Sequence, residues 1–316
     1  MTFSGGALSI LYDAVLLIAF GGPEKMEDVR PFLANVTKGR PVPPQRLEEV
    51  IQHYEVFNGH SPLNEITFRQ ARAVQQLLDQ EGLRLPVYVG MRNWHPYFHE
   101  TLAQMATEGI KHALGFILSA QQSAAGWERY KENVAEARAQ IGSHAPAIEY
   151  AAGWYDHPLF IEAVADLTRQ AFDQIPPERW EQVPLVFTAH SVPVAMPGTP
   201  IYVRQVEVGA RLVAQKLGHS RWLIAYQSRS GDPRTLWLEP DIGAILPQLA
   251  ADEARDVVVV PIGFVCDHIE VLYDLDTAAR RVAAAHGVNL IRAGTVSDHP
   301  TFIRMMADVV RKAVAG

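Results

Sequence analysis

The chain has 316 residues, 48 % apolar and 20 % charged, which suits a globular protein with a sizeable core. At roughly 100–200 residues per domain, two domains are expected. A formal charge of −7 leaves no basic excess to neutralise phosphates, so nucleic acid is an unsuitable partner. Cys266 is the single cysteine, which excludes internal disulfides, a cysteine-ligated iron–sulfur cluster and a four-cysteine zinc site, and fits a reducing compartment.

The opening MTFSGGALSILYD lacks a basic start, which predicts no signal peptide and a cytoplasmic location. The apolar run that follows, Ala14 to Phe20 (AVLLIAF), is too short to span a bilayer and reads as a buried strand. Five more runs read the same way: PVYVG (86–90), ALGFIL (113–118), PLVFT (184–188), WLIAY (222–226) and VVVVPIGFV (257–265). None alternates cleanly between apolar and polar, the pattern of parallel strands covered on both faces. Helical periodicity lies between them: Asn64 to Leu78, Pro96 to Met105 with Pro96 in the first turn, His157 to Phe172, Val206 to Leu217, Leu275 to Ala285 with Gly287 as its stop, and Thr301 to Ala315. Strands alternating with helices predict a parallel, doubly wound α/β fold.

The order of these runs suggests a duplication. AFGGP (19–23) pairs with AHSVP (189–193), GMRNWHP (90–96) with YQSRSGDP (226–233), and ILSAQQS (117–123) with GFVCDH (263–268). Two α/β domains would then face each other with strand C-termini at a shared cleft, where ligands of open sheets bind. The stretch 142–158 reads as the crossing point, giving one domain over 1–150 and a second over 151–316.

His190, in FTAHSVP (187–193), stands where a buried strand ends. It serves either to bond a loop or as a base or metal ligand at the cleft. In GFVCDHIEVLYDLD (263–276), Glu270 and Asp274 are four apart and share a face if a helix begins there. An acidic first turn also suits a helix dipole. Ile269, Val271, Leu272 and Tyr273 crowd Glu270, however, so its carboxylate needs a partner or a raised pKa. A histidine and a carboxylate are too few for a structural metal site but suit a metal in transit, or a plain ion pair. FGGPE (20–24) is a glycine turn without the GxGxxG or Walker pattern, and GHSPL and AHSVP lack the GxSxG elbow, which disfavours a serine hydrolase. HYEVFNGHSPL (53–63) mixes aromatic and polar residues, fit for a flat ligand or an ordinary packed loop.

Together these segments resemble the ferrochelatase family along nearly the whole chain. FTAHSVP is similar to its S-A-H-S-[LV]-P segment, and GFVCDHIEVLYDLD to its F-x-[SAC]-D-H-x-E-[TV]-L-[YW]-[DE]-x-D segment; GMRNWHP, WYDHP (154–158) and YQSRSG…WLEPD (226–241) also match. The resemblance implies insertion of Fe²⁺ into a porphyrin during haem synthesis by two similar Rossmann-type, chelatase-like domains, with the last helix (298–316) packing on the first. It implies His190 and Glu270 as the catalytic pair on opposite sides of the cleft, with Asp274 joining them along the metal's path. The implied partners are porphyrin and ferrous iron, plus transient partners for iron delivery or haem handover, around a monomer. Iron is substrate, with no tightly bound cofactor and no iron–sulfur cluster.

AFGGPE and RNWHP place the chain nearest the coproporphyrin III branch. Protoporphyrin IX as substrate, or a non-catalytic tetrapyrrole carrier, is the alternative. By position Phe20, Thr37, His53, Tyr54, Ser61 and Tyr130 match that branch's porphyrin contacts. Phe20 stands in place of a tyrosine that can ligate product iron, and Thr37 and His53 in place of arginines that hold propionates. That leaves Lys38, Arg40 or Arg46 for the propionates. Ala278 replaces an outer acidic residue, which argues against a second metal site.

Overall fold

The computed structural model describes residues 12–39, 42–230 and 234–315. The chain begins with β1 (Ala14–Ala19), α1 (Met26–Val36), α2 (Pro44–Glu55) and α3 (Leu63–Gln80). It continues through β2 (Val87–Met91), α4 (Phe98–Thr107), β3 (His112–Ile117), α5 (Arg129–Ile141) and β4 (Ala147–Tyr150). The later elements are α6 (Pro158–Phe172), β5 (Leu185–His190), α7 (Thr199–Leu217), β6 (Trp222–Gln227), α8 (Ile242–Ala251) and β7 (Asp256–Val260). Then come α9 (Ile269–Val271), which widens through a π-helical stretch (Leu272–Ala279) into α10 (Arg280–Ala285), β8 (Asn289–Arg292) and α11 (Pro300–Ala315).

The strands form two four-stranded sheets, ordered β2-β1-β3-β4 and β6-β5-β7-β8, and every pairing is parallel. The second order is the first with each strand moved on by four, so the two sheets share one topology. β1 and β5 occupy equivalent places, each flanked on both sides by later strands. The C-terminal ends of β1 and β5 are therefore the points where successive connections diverge, the place where open α/β sheets bind ligands.

The missing alternation in the sequence has a simple cause. Val15, Leu17 and Ala19 enter one core while Ala14, Leu16 and Ile18 enter another, so both faces of β1 are buried. The first of these cores is shared: Leu114 and Phe116 of β3 belong to it together with Leu185 and Phe187 of β5 and Val258 and Val260 of β7. Trp154, in the crossing segment, lies within it, stacked on Phe116 (5.7 Å between centroids) and close to Phe302 of α11 (5.6 Å). Truncating such a buried aromatic costs roughly 3–5 kcal/mol. Just after β3, Gln122 N–H donates to Gln205 of α7 (2.6 Å) and Gln121 to the Ile262 carbonyl (3.3 Å), joining the two sheets' surroundings directly.

Several boundaries differ from those read in the sequence. β7 stops at Val260 rather than 265, because Pro261 has no N–H to continue the ladder. Pro96 precedes α4 instead of entering its first turn, and Tyr97 takes the cap position, its N–H bonded to Glu100 (2.7 Å). α7 starts at Thr199, not Val206, and the helix expected from Leu275 starts at Ile269. α1, α2, α5, α8 and the short edge strands β4 and β8 were absent from the sequence reading.

The crossing segment is fastened to α11. His157 caps α6, its Nδ1 accepting from Leu159 N–H (3.2 Å), so its Nε2 carries the proton and meets Asp308 at 2.9 Å. Lys312 (2.7 Å) and Arg311 (3.1 Å) reach the same carboxylate. The Lys312 hydrogen bond, with those of His157 and Arg311, holds Asp308 down to about 2 against the opposing effect of burial. A depressed carboxyl pKa adds stability above its unfolded value, near 4, that is lost as pH falls toward the folded one. Asp308→Asn should therefore lower stability at neutral pH by on the order of 1 kcal/mol, read from urea unfolding, with the gap to the parent closing as pH falls from about 5 through about 2.

Candidate active site

β5 ends on His190, whose register partner on β6 is Gln227, the last residue of that strand. His190 is fixed on three sides. Tyr202 of α7 donates to its carbonyl (2.9 Å), its Nδ1 meets the Ser191 carbonyl (2.5 Å), and the loop after β7 presses against the preceding residue. A Cβ at Gly263 would sit 2.7 Å from the Ala189 Cα, so only glycine lets that loop lie flat on β5, where its N–H bonds Thr188 (3.0 Å). The same loop runs on to His268 and Glu270.

A carbonyl only accepts, so the contact to Ser191 assigns the His190 proton to Nδ1 and leaves Nε2 as the basic, ligating end. That Nε2 points at Glu270 Oε2, 3.7 Å away. His268 repeats the arrangement: its Nδ1 meets the Cys266 carbonyl (3.3 Å) and its Nε2 lies 3.6 Å from the same Glu270 oxygen. Neither gap is a formed hydrogen bond. Three lone-pair-bearing atoms thus converge on a small space that attracts a proton or a cation. Among the described residues, no group of three or more His, Cys, Asp or Glu side chains is arranged to hold a metal ion.

The electrostatics follow from this geometry. Burial among protein atoms pushes the Glu270 carboxyl up, but the charge of His190 and the contact and charge of His268 outweigh it and bring it to about 2. The carboxylate still keeps 44 % of its side-chain surface open, so it stands on the wall of a slot that water reaches. Asp274, one turn further along the π-helical stretch, goes the other way. Burial raises it to about 6, the Glu270 charge adds to the rise, and a hydrogen bond from Ser228 with the charges of His190 and His268 opposes it. Ser228 is held at φ 61°, a left-handed conformation that costs a non-glycine residue energy, at the point where its hydroxyl serves Asp274. Behind the site, Arg292 of β8 grips Asp267 with two bonds (3.1 Å each) and Asp276 with a third (2.8 Å), bracing the segment on both sides of Glu270.

The equivalent place in the first sheet is apolar. Phe20 follows β1 as His190 ends β5, and the turn there is tight: Gly21 has φ 81°, and a Cβ on it would meet the Trp94 N at 2.9 Å. Phe20 packs edge-on against Phe32 (6.2 Å), which likewise meets Tyr54 (6.1 Å) and Trp94 (6.4 Å). Ile269 and Tyr273, on either side of Glu270, belong to this cluster, and Cys266 meets Phe20 in another. The first half thus supplies an aromatic wall beside the polar group of the second.

The other residues singled out in the sequence are dispersed along that wall. His53 lies flat on Tyr273, 3.6 Å between ring centroids and 12° between planes, a direct contact between the halves. Tyr54 is buried, and burial with the Glu270 charge pushes its hydroxyl up, so it stays protonated. Thr37 ends α1 with its hydroxyl bonded to the Leu33 carbonyl (2.7 Å). Ser61 is buried behind Gly22, and Tyr130 is buried near Arg92 and Cys266. Arg92 lies 5.9 Å over the Phe20 ring. Arg46 is paired with Glu49 (3.0 Å), and Arg40 falls outside the described residues. An open depression of about 450 Å³ between α3, β2 and α4 lies at the sheet edge away from this chemistry.

His190 and Glu270 do not stand on opposite sides of an open cleft. A flat ring in van der Waals contact with both would need roughly 7 Å between them, twice the usual carbon contact distance. At 3.7 Å they face one another directly, because both are carried by the second half. Sequence reasoning also missed His268, Gln227, Ser228 and Arg292. His268 was visible in principle, two residues before the acid, and Ser228 sits in the quoted YQSRSG.

Two like-ordered parallel sheets meeting at strand ends, one bearing this His–Glu group, define a two-domain chelatase-type α/β protein. SirB from Bacillus subtilis, solved with Fe³⁺, has this fold: TM-score 0.60 at 12 % identity over 96 % of both chains. The chain belongs to the ferrochelatase family, whose members insert iron into porphyrin; the family's sequence profile, described as Ferrochelatase, matches residues 12–314. It is 46 % identical over 312 residues to the coproporphyrin III ferrochelatase of Nocardia farcinica, covering 96 % of this chain and 89 % of that one. To the protein of the same name from Mycolicibacterium smegmatis it is 43 % identical over 308 residues, 96 % and 91 % covered. Among the described residues no helix is long and apolar enough to cross a membrane.

Because Asp274 titrates higher in the fold than in the unfolded chain, its ionisation lowers stability progressively between about pH 4 and its folded value of about 6. Asp274→Asn should match the parent's stability near pH 4 and exceed it above pH 6 by on the order of 1 kcal/mol, read as a urea midpoint at both pH values.

Proposed function

We propose that the enzyme inserts Fe²⁺ into coproporphyrin III, with His190 and Glu270 as the catalytic pair. The observation that carries this is the convergence of His190 Nε2, the ring nitrogen not committed to Ser191, on the Glu270 carboxylate at 3.7 Å. The names of the Nocardia and Mycolicibacterium relatives support the choice of macrocycle. In the overall reaction Fe²⁺ enters the ring and two pyrrole protons leave, so a site needs a proton acceptor and a group that exchanges water for oxygen on the metal.

His190 Nε2 accepts a pyrrole proton, since its other nitrogen is already committed to Ser191. The imidazolium so formed is stabilised by Glu270 beside it. Glu270, charged across the neutral range, offers Oε2 to Fe²⁺ or to the second proton. Asp274, near 6, exchanges protons readily around neutrality and passes them along Ser228 to solvent. Both catalytic groups act from the face of the macrocycle turned toward the second half. Phe20 and the Phe32–Tyr54 cluster cover the other face, and the His53–Tyr273 contact parts as the ring enters. A ring held bent between these walls presents its nitrogens outward, which lowers the barrier through binding. Lys38 and Arg46, with Arg92 over the Phe20 ring, are the cations assigned to the substrate's propionates. Iron is substrate here, and no resident cofactor is required because the protons leave to side chains and water.

Anaerobic turnover with Fe²⁺ tests the reading. Coproporphyrin III should be metalated at least tenfold more efficiently than protoporphyrin IX; the reverse preference overturns the substrate, and no turnover with either leaves a carrier. His190→Ala and Glu270→Gln should each lose roughly 10²–10⁴-fold in kcat while still quenching porphyrin fluorescence on binding. Turnover near the parent's rate in either variant removes that residue from the mechanism.

A further inference from the structure

We propose that Gln227 is a positioning residue that sets the distance between His190 and Glu270; this rests on the reading of that pair given above. Gln227 is bonded both to the residue after His190 and to Glu270 itself. Its backbone carbonyl accepts from Ser191 N–H (2.8 Å), directly after His190, and it stands beside His190 in the β5–β6 register. Its side-chain Nε2 donates to the backbone carbonyl of Glu270 itself (3.2 Å). A carbonyl takes only a donor, so the amide can point only one way.

The side chain is 1 % exposed, and its Oε1 has no protein partner. A buried amide with one unbonded end is less favourable than a methionine of similar length filling the same space. What the amide supplies and methionine cannot is the hydrogen bond to Glu270. α9 is only three residues long, and immediately beyond it the helix widens into the π-helical stretch, so the backbone at Glu270 has little helix before it to fix its height. The bond from the rigid sheet end supplies that fix. Arg292 and the Gly263–Thr188 bond hold the segment's ends. The Gln227 bond fixes the Glu270 backbone against the β6 end, so losing it lets the 3.7 Å spacing between Nε2 and Oε2 change. Displacements of about 1 Å in reacting groups cost up to roughly a hundredfold in rate.

The test compares Gln227→Met, which keeps volume and removes both polar ends, with Gln227→Glu, which keeps shape and acceptors and turns a carboxylate oxygen toward the Glu270 carbonyl. Each is measured for kcat, porphyrin KM and Kd, and Tm, beside His190→Ala and Glu270→Gln. The expected result for Gln227→Met is a kcat roughly tenfold to a hundredfold lower with porphyrin KM and Kd unchanged and Tm equal or higher. Gln227→Glu should fall at least as far in kcat. A merely structural role would instead lower Tm, binding and rate together, and that pattern overturns the proposal. So does a kcat within twofold of the parent in either variant. If Gln227→Met does not fold, Gln227→Glu decides by the same readings. Inactive His190→Ala and Glu270→Gln beside a fully active Gln227→Met remove only the role of Gln227, whereas active His190 and Glu270 variants remove the catalytic reading on which it rests.

Discussion

A carboxylate that is crowded by protein yet kept charged by two imidazoles is the constraint around which the second half is arranged. Burial pushes Glu270 toward its neutral form, and a neutral acid would neither draw a metal ion nor stabilise an imidazolium. His190 and His268 reverse that when they carry a proton on Nε2: a backbone carbonyl holds each ring's Nδ1, so the second proton of the imidazolium lies toward Glu270. The carbonyls of Ser191 and Cys266 lie on loops at the strand ends. The close passage of Gly263 over Ala189 brings those loops together. The charge state of one side chain thus traces back to strand order and to a single position with no side chain.

The repeated topology explains why the two halves can do different things. Like-ordered sheets place Phe20 and His190 at corresponding strand ends, so the same backbone address carries an aromatic ring in one half and a base in the other. An aromatic surface facing a polar group suits a flat ligand with an ionisable centre better than two polar walls would. A second polar wall would leave the apolar face of a macrocycle against groups that prefer water. The shared core around Trp154 and the glutamine bonds after β3 tie the sheets together. The His53–Tyr273 stack is a direct contact between the two halves beside this surface.

The fold was legible where burial is complete. The six apolar runs all became strands: the four central ones are buried on both faces and so must be apolar throughout, and the edge strands β2 and β6 are apolar enough to read the same way. β4 and β8 escaped notice for the opposite reason: Ala147–Tyr150 and Asn289–Arg292 are four-residue edge strands carrying Glu149, Asn289 and Arg292. α1 and α8 contain Pro31 and Pro247, which read as breaks, yet both helices continue through them. In the site, the pairing of His190 with Glu270 was legible from two segments rich in chemistry. Their placement at 3.7 Å was not, since no local pattern in either segment reports the angle at which α9 leaves the loop. Nor does any composition signal mark the π-helical stretch, so the i, i+4 reasoning for Glu270 and Asp274 assumed a regular turn. Gln227 and Arg292 act through contacts 43 and 25 positions away in sequence, beyond the reach of any local pattern.

What the site shows above all is unfavourable local structure gathered in one place. Asp274 is held where its charge is disfavoured, Ser228 sits in a left-handed conformation, and the buried Oγ1 of Thr188 and Oε1 of Gln227 have no protein partner. All four lie at the ends of β5 and β6 or on the helix that faces them. Each feature lowers stability, and none is needed to close a sheet or fill a core. The first half has the same topology and, at the corresponding strand end, an ordinary aromatic cluster. Since one topology is compatible with both outcomes, the fold does not require the strained one. Isolated features of the same kind occur in the first half, such as the orphaned oxygen of Gln121 and the left-handed Asn58, but in the second half they surround the His190–Glu270 pair, and the double-faced apolar strands of both sheets offset their cost.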